Sequence, residues 1–302
     1  MLWFLATISA YFLLAVVASV DKYLLTGSIP SPKIYSFYVG MLGILVLILI
    51  PFGFLTVPEL PLIFLALVAG FFHIFALFVF YTALKKFETS RVVPAVGGFL
   101  PIFTFVLVYF FSKEEEILRF EEYIAFLLLV LGSVLVTFKK GKTISLKSLP
   151  LSVLSAIFWA ISFVLSKFVY STQPFWSGFI WIMIGSFLTA LCFLFSKEVK
   201  EEIFKRKEAI KKKTAFIFIL NQGIGGGAFV LQNWAIALVP LTFLPFINAL
   251  EGTKYVFLLI FAVLFSLKSP QILKEEISKK VLLQKIIAIL LIGAGLALLA
   301  FK

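Results

Sequence analysis

The chain alternates long apolar runs with short polar segments. About ten runs reach the roughly 20 residues that an α-helix needs to cross a bilayer, and they are too long and too uniformly apolar for barrel strands. We therefore expect an all-α integral membrane protein with about ten transmembrane helices. The predicted spans are 2–20, 34–56, 60–84, 92–111, 122–138, 150–168, 175–196, 214–238, 241–266 and 282–301.

The two halves of the chain carry similar landmarks in the same order. The matched pairs are Lys22 with Lys167 at the end of a first span, Pro32 with Pro174 at the start of a second, Gly43 with Gly185 within it, and Leu84 with Leu238 at the end of a third. We predict a five-helix repeat over 1–138, a basic linker over 139–149 and a second repeat over 150–302. Because each repeat has an odd number of spans, the second copy would be inverted in the membrane, as in many carriers.

Together with the number of spans and the duplication, the order of a second set of residues suggests a family. Tyr81-Thr82-Ala83-Leu84 leads through Arg91-Val92-Val93-Pro94 to Pro101 and then to the acidic Glu114-Glu115-Glu116. The second half repeats this order with Ala237-Leu238, Pro240-Leu241-Thr242, Pro245 and Glu275-Glu276. In these features the chain resembles EamA-type transporters of the drug/metabolite transporter superfamily.

The resemblance implies a ten-helix bundle with a central cavity between the two repeats, lined mainly by the first, third and fourth helices of each. It also implies export or exchange of metabolites such as amino acids, without ATP hydrolysis. Two features depart from the pattern. The connection at 239–242 is shorter than its counterpart in the first half, and the predicted ninth span carries ionisable residues that the fourth lacks.

Composition supports the membrane assignment. Hydrophobic residues make up 62% of the chain and charged residues 14%, with a mean hydropathy of +1.12, whereas soluble domains have about 45–50% apolar and about 25% charged residues. The net charge of +12 comes from cations between the apolar runs, where they flank membrane spans. We therefore expect a multi-pass protein of the plasma membrane that contacts lipid and does not bind nucleic acid. The distribution of cations predicts both termini outside, while the family pattern implies both inside.

The predicted ninth span contains the most unusual polar residues. Glu251 and Lys254 lie three residues apart, so they share a helix face, and Asn248 and Tyr255 extend this stripe by a turn on either side. Ionisable groups at membrane depth cost roughly 2.5–3.5 kcal/mol each. Two interpretations stay open, a substrate- or proton-handling site and a structural ion pair.

The predicted eighth span holds two amide pairs, Asn221-Gln222 and Gln232-Asn233. Eleven residues are close to three helical turns, so Asn221 shares a face with Gln232, and Gln222 with Asn233. We expect these amides to bind substrate. The glycine-rich run 223–227 between them predicts close helix packing with a hinge, or an unwound segment that offers backbone groups to a ligand.

Further candidates lie on the predicted third and sixth spans. His73 is the only histidine and titrates near neutral pH when unperturbed. Tyr81 lies eight residues on, close to the same helix face, and Trp159 could stack on a substrate. For His73 and Trp159 the alternative is a structural role inside the bundle.

Charged residues mark the predicted ends of the first and sixth spans. Asp21 and Lys22 lie at the first end and Lys167 at the other. They are candidates for gating or for the interface between helices. The competing interpretation is a cation that reaches the membrane surface or caps the C-terminus of a helix.

These features favour a secondary transporter that works by alternating access, with a small solute, and with protons as the candidate coupling ion. The alternatives are a flippase of the same fold acting on lipid or lipid-linked substrates, and a membrane-embedded enzyme. The single histidine, the lone Cys192 and the scattered carboxylates argue against catalytic or metal sites. No cofactor is expected, and oligomeric state is left open.

Overall fold

The structure is a computed structural model that describes residues 2–26, 29, 31–87, 89–111, 120–137, 149–204, 212–254, 257 and 279–300. Helices and their connections account for these residues, with no strand among them. The helices are α1 (Leu2–Thr26), α2 (Pro32–Leu42, extended by a 3₁₀ stretch Gly43–Phe52), α3 (Leu60–Lys86), α4 (Thr89–Phe111), α5 (Phe120–Thr137), α6 (Leu149–Thr172), α7 (Phe175–Cys192, extended by 3₁₀ Phe193–Phe195), α8 (Lys197–Phe204), α9 (Lys212–Leu238), α10 (Leu244–Ala249, after 3₁₀ Leu241–Phe243) and α11 (Lys279–Ala300).

Local sequence explains where the second span starts and stops. Ser31 caps α2 by accepting a hydrogen bond from the Ile34 amide at 3.4 Å, and Pro32 occupies the first turn, where its missing N–H costs nothing. Gly53 ends the 3₁₀ stretch with a φ of 78°, a left-handed conformation that glycine adopts without strain.

Within the described residues, six helices are long and apolar enough to cross a membrane. They are Leu2–Thr26, Pro32–Phe52, Leu60–Lys86, Leu149–Thr172, Phe175–Phe195 and Lys212–Leu238. A helix of 27 residues is about 40 Å long, which exceeds a hydrocarbon core of about 30 Å. Large apolar side chains such as Ile48, Phe64 and Phe110 are about 70% exposed or more, as a lipid-facing surface requires. The chain is therefore an all-α, multi-pass membrane protein.

The other four predicted spans are not among these six helices, although α4, α5 and α11 cover the predicted fourth, fifth and tenth spans almost completely. The apolar part of α4, Ala95–Phe111, is shorter than a full span, and α5 begins with Glu121 and Glu122 in its first turn. The second part of the predicted ninth span, after 254 and except 257, lies outside the described residues, as does the predicted linker except Leu149, the first residue of α6. The expectation of ten spans in two inverted repeats stays a prediction.

Helix pairs hold the bundle together. Helix α1 packs along α9, α3 lies against both α6 and α7, α4 against α6, and α5 against α11. Serine hydroxyls join α6 to α3, since Ser155 donates to the Ala76 carbonyl at 3.0 Å and Ser162 to the Ala69 carbonyl at 2.9 Å. No hydrophobic driving force acts between helices in lipid, so their association depends on the close packing of small residues and on hydrogen bonds such as these.

Helices α3 and α7 cross with their backbones in contact. A Cβ added to Gly70 would lie 2.1 Å from the Ile182 carbonyl oxygen, and one added to Gly185 would lie 2.5 Å from the Leu67 oxygen. Ser186 also donates to the Gly70 carbonyl at 3.3 Å. This crossing therefore depends on the absence of a side chain at both glycines.

The glycine-rich run of α9 is a continuous helix that packs on α1 at Gly225, where an added Cβ would lie in ordinary contact, 3.6 Å from Val17. Residues 223–227 are continuous helix, so the expectation of an unwound segment is wrong. In a bilayer every backbone group needs an internal hydrogen bond, which favours a continuous helix despite the glycines. A Cβ at Gly223, Gly226 or Gly227 would meet nothing within 4 Å among the described residues, so the expected close packing is not seen there.

Candidate functional site

A buried carboxylate joins three helices. The Asp21 carboxylate, on α1, accepts hydrogen bonds at Oδ1 from the Tyr35 hydroxyl of α2 at 2.5 Å, the Asn221 amide of α9 at 2.7 Å and the Gln222 amide at 3.3 Å. Gln222 also donates to the Tyr35 hydroxyl at 3.1 Å. We call these four side chains the Asp21 cluster. Asp21 is only 3% exposed, and all three donors are neutral.

Aromatic rings surround the Asp21 cluster. The Tyr35 ring makes edge contacts with Tyr81 of α3, at a centroid distance of 4.7 Å, and with Phe218 of α9, at 5.3 Å. Phe218 also contacts Tyr38 of α2 at 6.1 Å. These rings shield the hydrogen bonds from water, and such shielding strengthens electrostatic interactions.

A second polar group lies further along the α1–α9 interface. The Tyr11 hydroxyl donates to the Ile247 carbonyl of α10 at 3.0 Å and accepts from the Gln232 amide at 3.4 Å. Asn221 and Gln232 thus both reach α1, in keeping with the helix face that they share. Tyr11 links α1, α9 and α10 at this point.

The other two predicted asparagines contact different helices. The Tyr170 hydroxyl of α6 donates to the Asn233 side-chain oxygen at 2.9 Å. The Asn248 amide donates to the Thr104 hydroxyl of α4 at 2.8 Å, while its side-chain oxygen is buried without a hydrogen bond among the described residues. Asn233 and Asn248 therefore do not join the Asp21 cluster.

Glu251 and Lys254 form a buried ion pair. The Lys254 ammonium donates to Glu251 Oε1, and the two residues are 4% and 6% exposed. Each charge therefore has its partner on the next helical turn, as the structural interpretation of the pair requires. Tyr255, the fourth residue of the predicted stripe, lies outside the described residues.

His73 and Trp159 lie within aromatic packing. The His73 ring stacks on Phe229 of α9 at a centroid distance of 4.2 Å, and its Nδ1 is buried without a hydrogen-bond partner among the described residues. The Trp159 ring contacts Phe80 at 5.2 Å. Neither residue reaches the Asp21 cluster through a described hydrogen bond.

Two lysines cap the C-termini of neighbouring helices. Lys22 donates to the carbonyls of Leu84 and Phe87 at the end of α3, the second bond measuring 2.9 Å. Lys167 donates to the Ala237 carbonyl at the end of α9, at 3.1 Å. Unpaired carbonyls and the helix dipole make a helix C-terminus favourable for a cation.

We expect Lys167→Met to lower stability by about 1–3 kcal/mol, because the Ala237 carbonyl then loses a charged donor. Thermal unfolding in detergent, followed by tryptophan fluorescence, measures the effect. Lys200→Met removes an exposed lysine of α8 and should leave the unfolding temperature unchanged. Equal behaviour of the two variants would show that Lys167 does not stabilise α9.

Several hydrogen-bond partners of the predicted residues are not predicted from the sequence. Tyr11, Tyr35 and Tyr170 lie in apolar helices, where an aromatic residue resembles ordinary filling. The hydroxyl group is the one sequence feature that indicates a polar partner, since a buried tyrosine usually finds a hydrogen-bond partner. Among the described residues no three histidine, cysteine or acidic side chains come together in a way that could hold a metal ion. The site can offer hydrogen bonds, aromatic faces and one unpaired negative charge.

Comparisons with known proteins bear on the fold. No protein-family model and no curated protein matches the sequence. Solved structures do match, among them one described as "Crystal structure of protein". It has a TM-score of 0.68 and 17% identity, over 99% of this chain and 97% of the other. At this level of identity the likeness shows a shared fold and nothing about activity.

Proposed function

We propose that this chain is a secondary transporter of small metabolites such as amino acids, located in the plasma membrane and working by alternating access. In this proposal it has ten spans in two inverted repeats and belongs with the EamA-type transporters. No catalytic step and no cofactor is involved. The solute and the lipid bilayer are its partners, with protons as the candidate coupling ion.

The Asp21 cluster carries the proposal. A carboxylate inside a membrane protein is costly, so it is retained where it has a partner or a function. Here α1, α2 and α9 place four polar side chains together within an apolar bundle, and the charge has no cationic partner among the described residues. Clustered polar groups between membrane helices are typical of solute and ion pathways.

The two lysine caps support the repeat. Lys22 and Lys167 are matched in sequence, and each caps the end of a helix that is itself matched, α3 in the first half and α9 in the second. A duplicated unit predicts such equivalent contacts. Inverted repeats allow the two halves of a carrier to exchange roles between its outward- and inward-open states.

The test is solute flux in proteoliposomes. Single amino acids, nucleosides and sugars are first screened for an increase in unfolding temperature of the purified protein, because a ligand of the native state stabilises it. Liposomes are then loaded with each compound that binds, and counterflow is measured as uptake of its radiolabelled form. We expect saturable counterflow that is absent from protein-free liposomes and falls at least about tenfold, 1.4 kcal/mol, in Asp21→Asn.

The control for this variant is Glu198→Gln, which removes an exposed carboxylate on α8 and should retain full counterflow. Absence of flux for every compound that binds would contradict the transporter proposal. Movement of fluorescent phospholipids between leaflets, in the same liposomes, would instead favour the flippase.

A further inference from the structure

The Asp21 carboxylate uses only one of its two oxygens. All three donors converge on Oδ1, and no described residue donates to Oδ2. An ionised carboxylate offers about four lone-pair positions shared between its oxygens. Oδ2 therefore keeps its full capacity to take up a proton or another donor.

A second acceptor beside it is also unsatisfied. The Asn221 amide nitrogen donates to Asp21, but its side-chain oxygen is buried without a hydrogen bond among the described residues. Buried polar atoms without partners are rare in native proteins and call for an explanation. This cluster has more acceptors than donors, and one added proton reduces the imbalance.

The groups facing Asp21 do not neutralise its charge. Helix α2 contributes Tyr35, α3 contributes Tyr81 beside it, and α9 contributes only amides. The neighbouring cation, Lys22, bonds to the end of α3 instead. Helix α4 makes no described bond to Asp21 through the side chains that the structure describes, those of 92, 93 and 95–111.

The other candidates for proton transfer are less suited. Glu251 is already paired with Lys254, so taking up a proton there would leave a buried ammonium without its partner. His73 stacks on Phe229 and connects to no second helix by a described hydrogen bond. Asp21 alone among these three joins helices through its charge.

We propose that Asp21 takes up the coupling proton on Oδ2, and that its charge state controls how firmly α2 and α9 are held to α1. The inference rests on the transporter proposal and names its coupling residue. A proton from the aqueous phase on one side forms an O–H bond at Oδ2 and converts the carboxylate to a neutral acid. After the carrier changes its open side, that bond breaks and the proton leaves to the opposite phase.

The hydrogen bonds of the cluster explain how the charge controls the helices. Donors to an ionised carboxylate bind roughly twice as strongly as donors to a neutral group, so protonation weakens the bonds of Tyr35, Asn221 and Gln222 together. The described ring contacts between α2 and α9 are those of Phe218 with Tyr35 and Tyr38. A Cβ added at the nearby Gly223 or Gly226 would meet no described atom within 4 Å. Neutralising Asp21 therefore loosens the side of the bundle between α2 and α9.

The experiment is infrared difference spectroscopy of the whole protein in lipid, titrated between about pH 5 and pH 9, where a perturbed carboxyl group titrates. We expect the carbonyl band of a protonated carboxylic acid to grow as the pH falls. The band should vanish in Asp21→Asn and persist in the double variant Glu251→Gln with Lys254→Met, which removes both charges of the buried pair. Tyr35→Phe keeps the carboxyl group but removes a donor to its charged form, so its titration midpoint should move to higher pH.

Each outcome separates this inference from the transporter proposal. A titrating band that survives in Asp21→Asn, or the absence of any such band in the wild type, overturns the inference, even if solute flux is observed. If Asp21→Asn does not fold, an unchanged midpoint in Tyr35→Phe overturns it instead. A band that behaves as expected, without flux of any solute, supports the proton site and contradicts the transporter.

Discussion

Glu251→Gln should destabilise the protein by about 3–5 kcal/mol, because it leaves the Lys254 ammonium buried without its partner. Both side chains are nearly inaccessible, and the ammonium donates to Glu251 Oε1 one turn away. Unfolding by denaturant in detergent measures the loss. Lys254→Met should cost a similar amount, since it isolates the carboxylate instead.

The double variant distinguishes a structural pair from a binding site. Glu251→Gln combined with Lys254→Met removes both charges, and a neutral pair of similar volume is often as stable as the ion pair that it replaces. We expect it to recover most of the lost stability and to retain counterflow. Glu121→Gln, at an exposed position in the first turn of α5, should leave stability unchanged. A stable double variant without counterflow would show that Glu251 and Lys254 take part in solute transport.

Helix positions could be predicted because the length and polarity of the apolar runs determine them. The run 60–84 corresponds to α3, Leu60–Lys86, and the run 214–238 to α9, Lys212–Leu238. Burying the polar backbone inside a membrane leaves few options other than a continuous helix. The same principle corrects the glycine-rich run of α9, where local composition suggested unwinding.

The partners of the polar residues could not be predicted, because they are distant in sequence. Asp21 meets Asn221, 200 positions away, and Tyr11 meets Gln232, 221 positions away. A helix face can be assigned from spacing, but the helix that it contacts depends on packing of the whole bundle. The sequence alone places Asp21 with Lys22 at a helix end, although the two side chains bond to different neighbours.

The contacts of the glycines could not be predicted from the sequence either, since one glycine is packed against a neighbouring helix and another in a similar span is exposed. Gly70 of α3 touches the backbone of α7, whereas Gly226 of α9 is exposed with no close neighbour among the described residues. Both lie in long apolar helices, and neither spacing nor composition separates them. Only the crossing of α3 and α7 determines which glycine is required.

Gly70→Ala should therefore cost about 3 kcal/mol or more, at the upper end for an overpacked core. The new Cβ would overlap the Ile182 carbonyl oxygen at 2.1 Å and the Ser186 amide nitrogen at 2.5 Å. These are backbone atoms that no rotamer change can move, so α3 and α7 must separate. The Ser186 hydrogen bond to the Gly70 carbonyl would be lost with the contact.

The matched control is the same substitution in α9. A methyl group at Gly226 meets no atom of the described residues within 4 Å, and alanine favours a helix over glycine by roughly 0.5–1 kcal/mol, so Gly226→Ala should be neutral or slightly more stable. Denaturant unfolding of the two variants in detergent then gives changes of opposite sign. Equal stability of Gly70→Ala and the wild type would contradict the backbone contact between α3 and α7. A marked loss of stability in Gly226→Ala would instead show that the α9 glycines are packed in the native protein. A methyl group on an exposed helix face causes no steric clash.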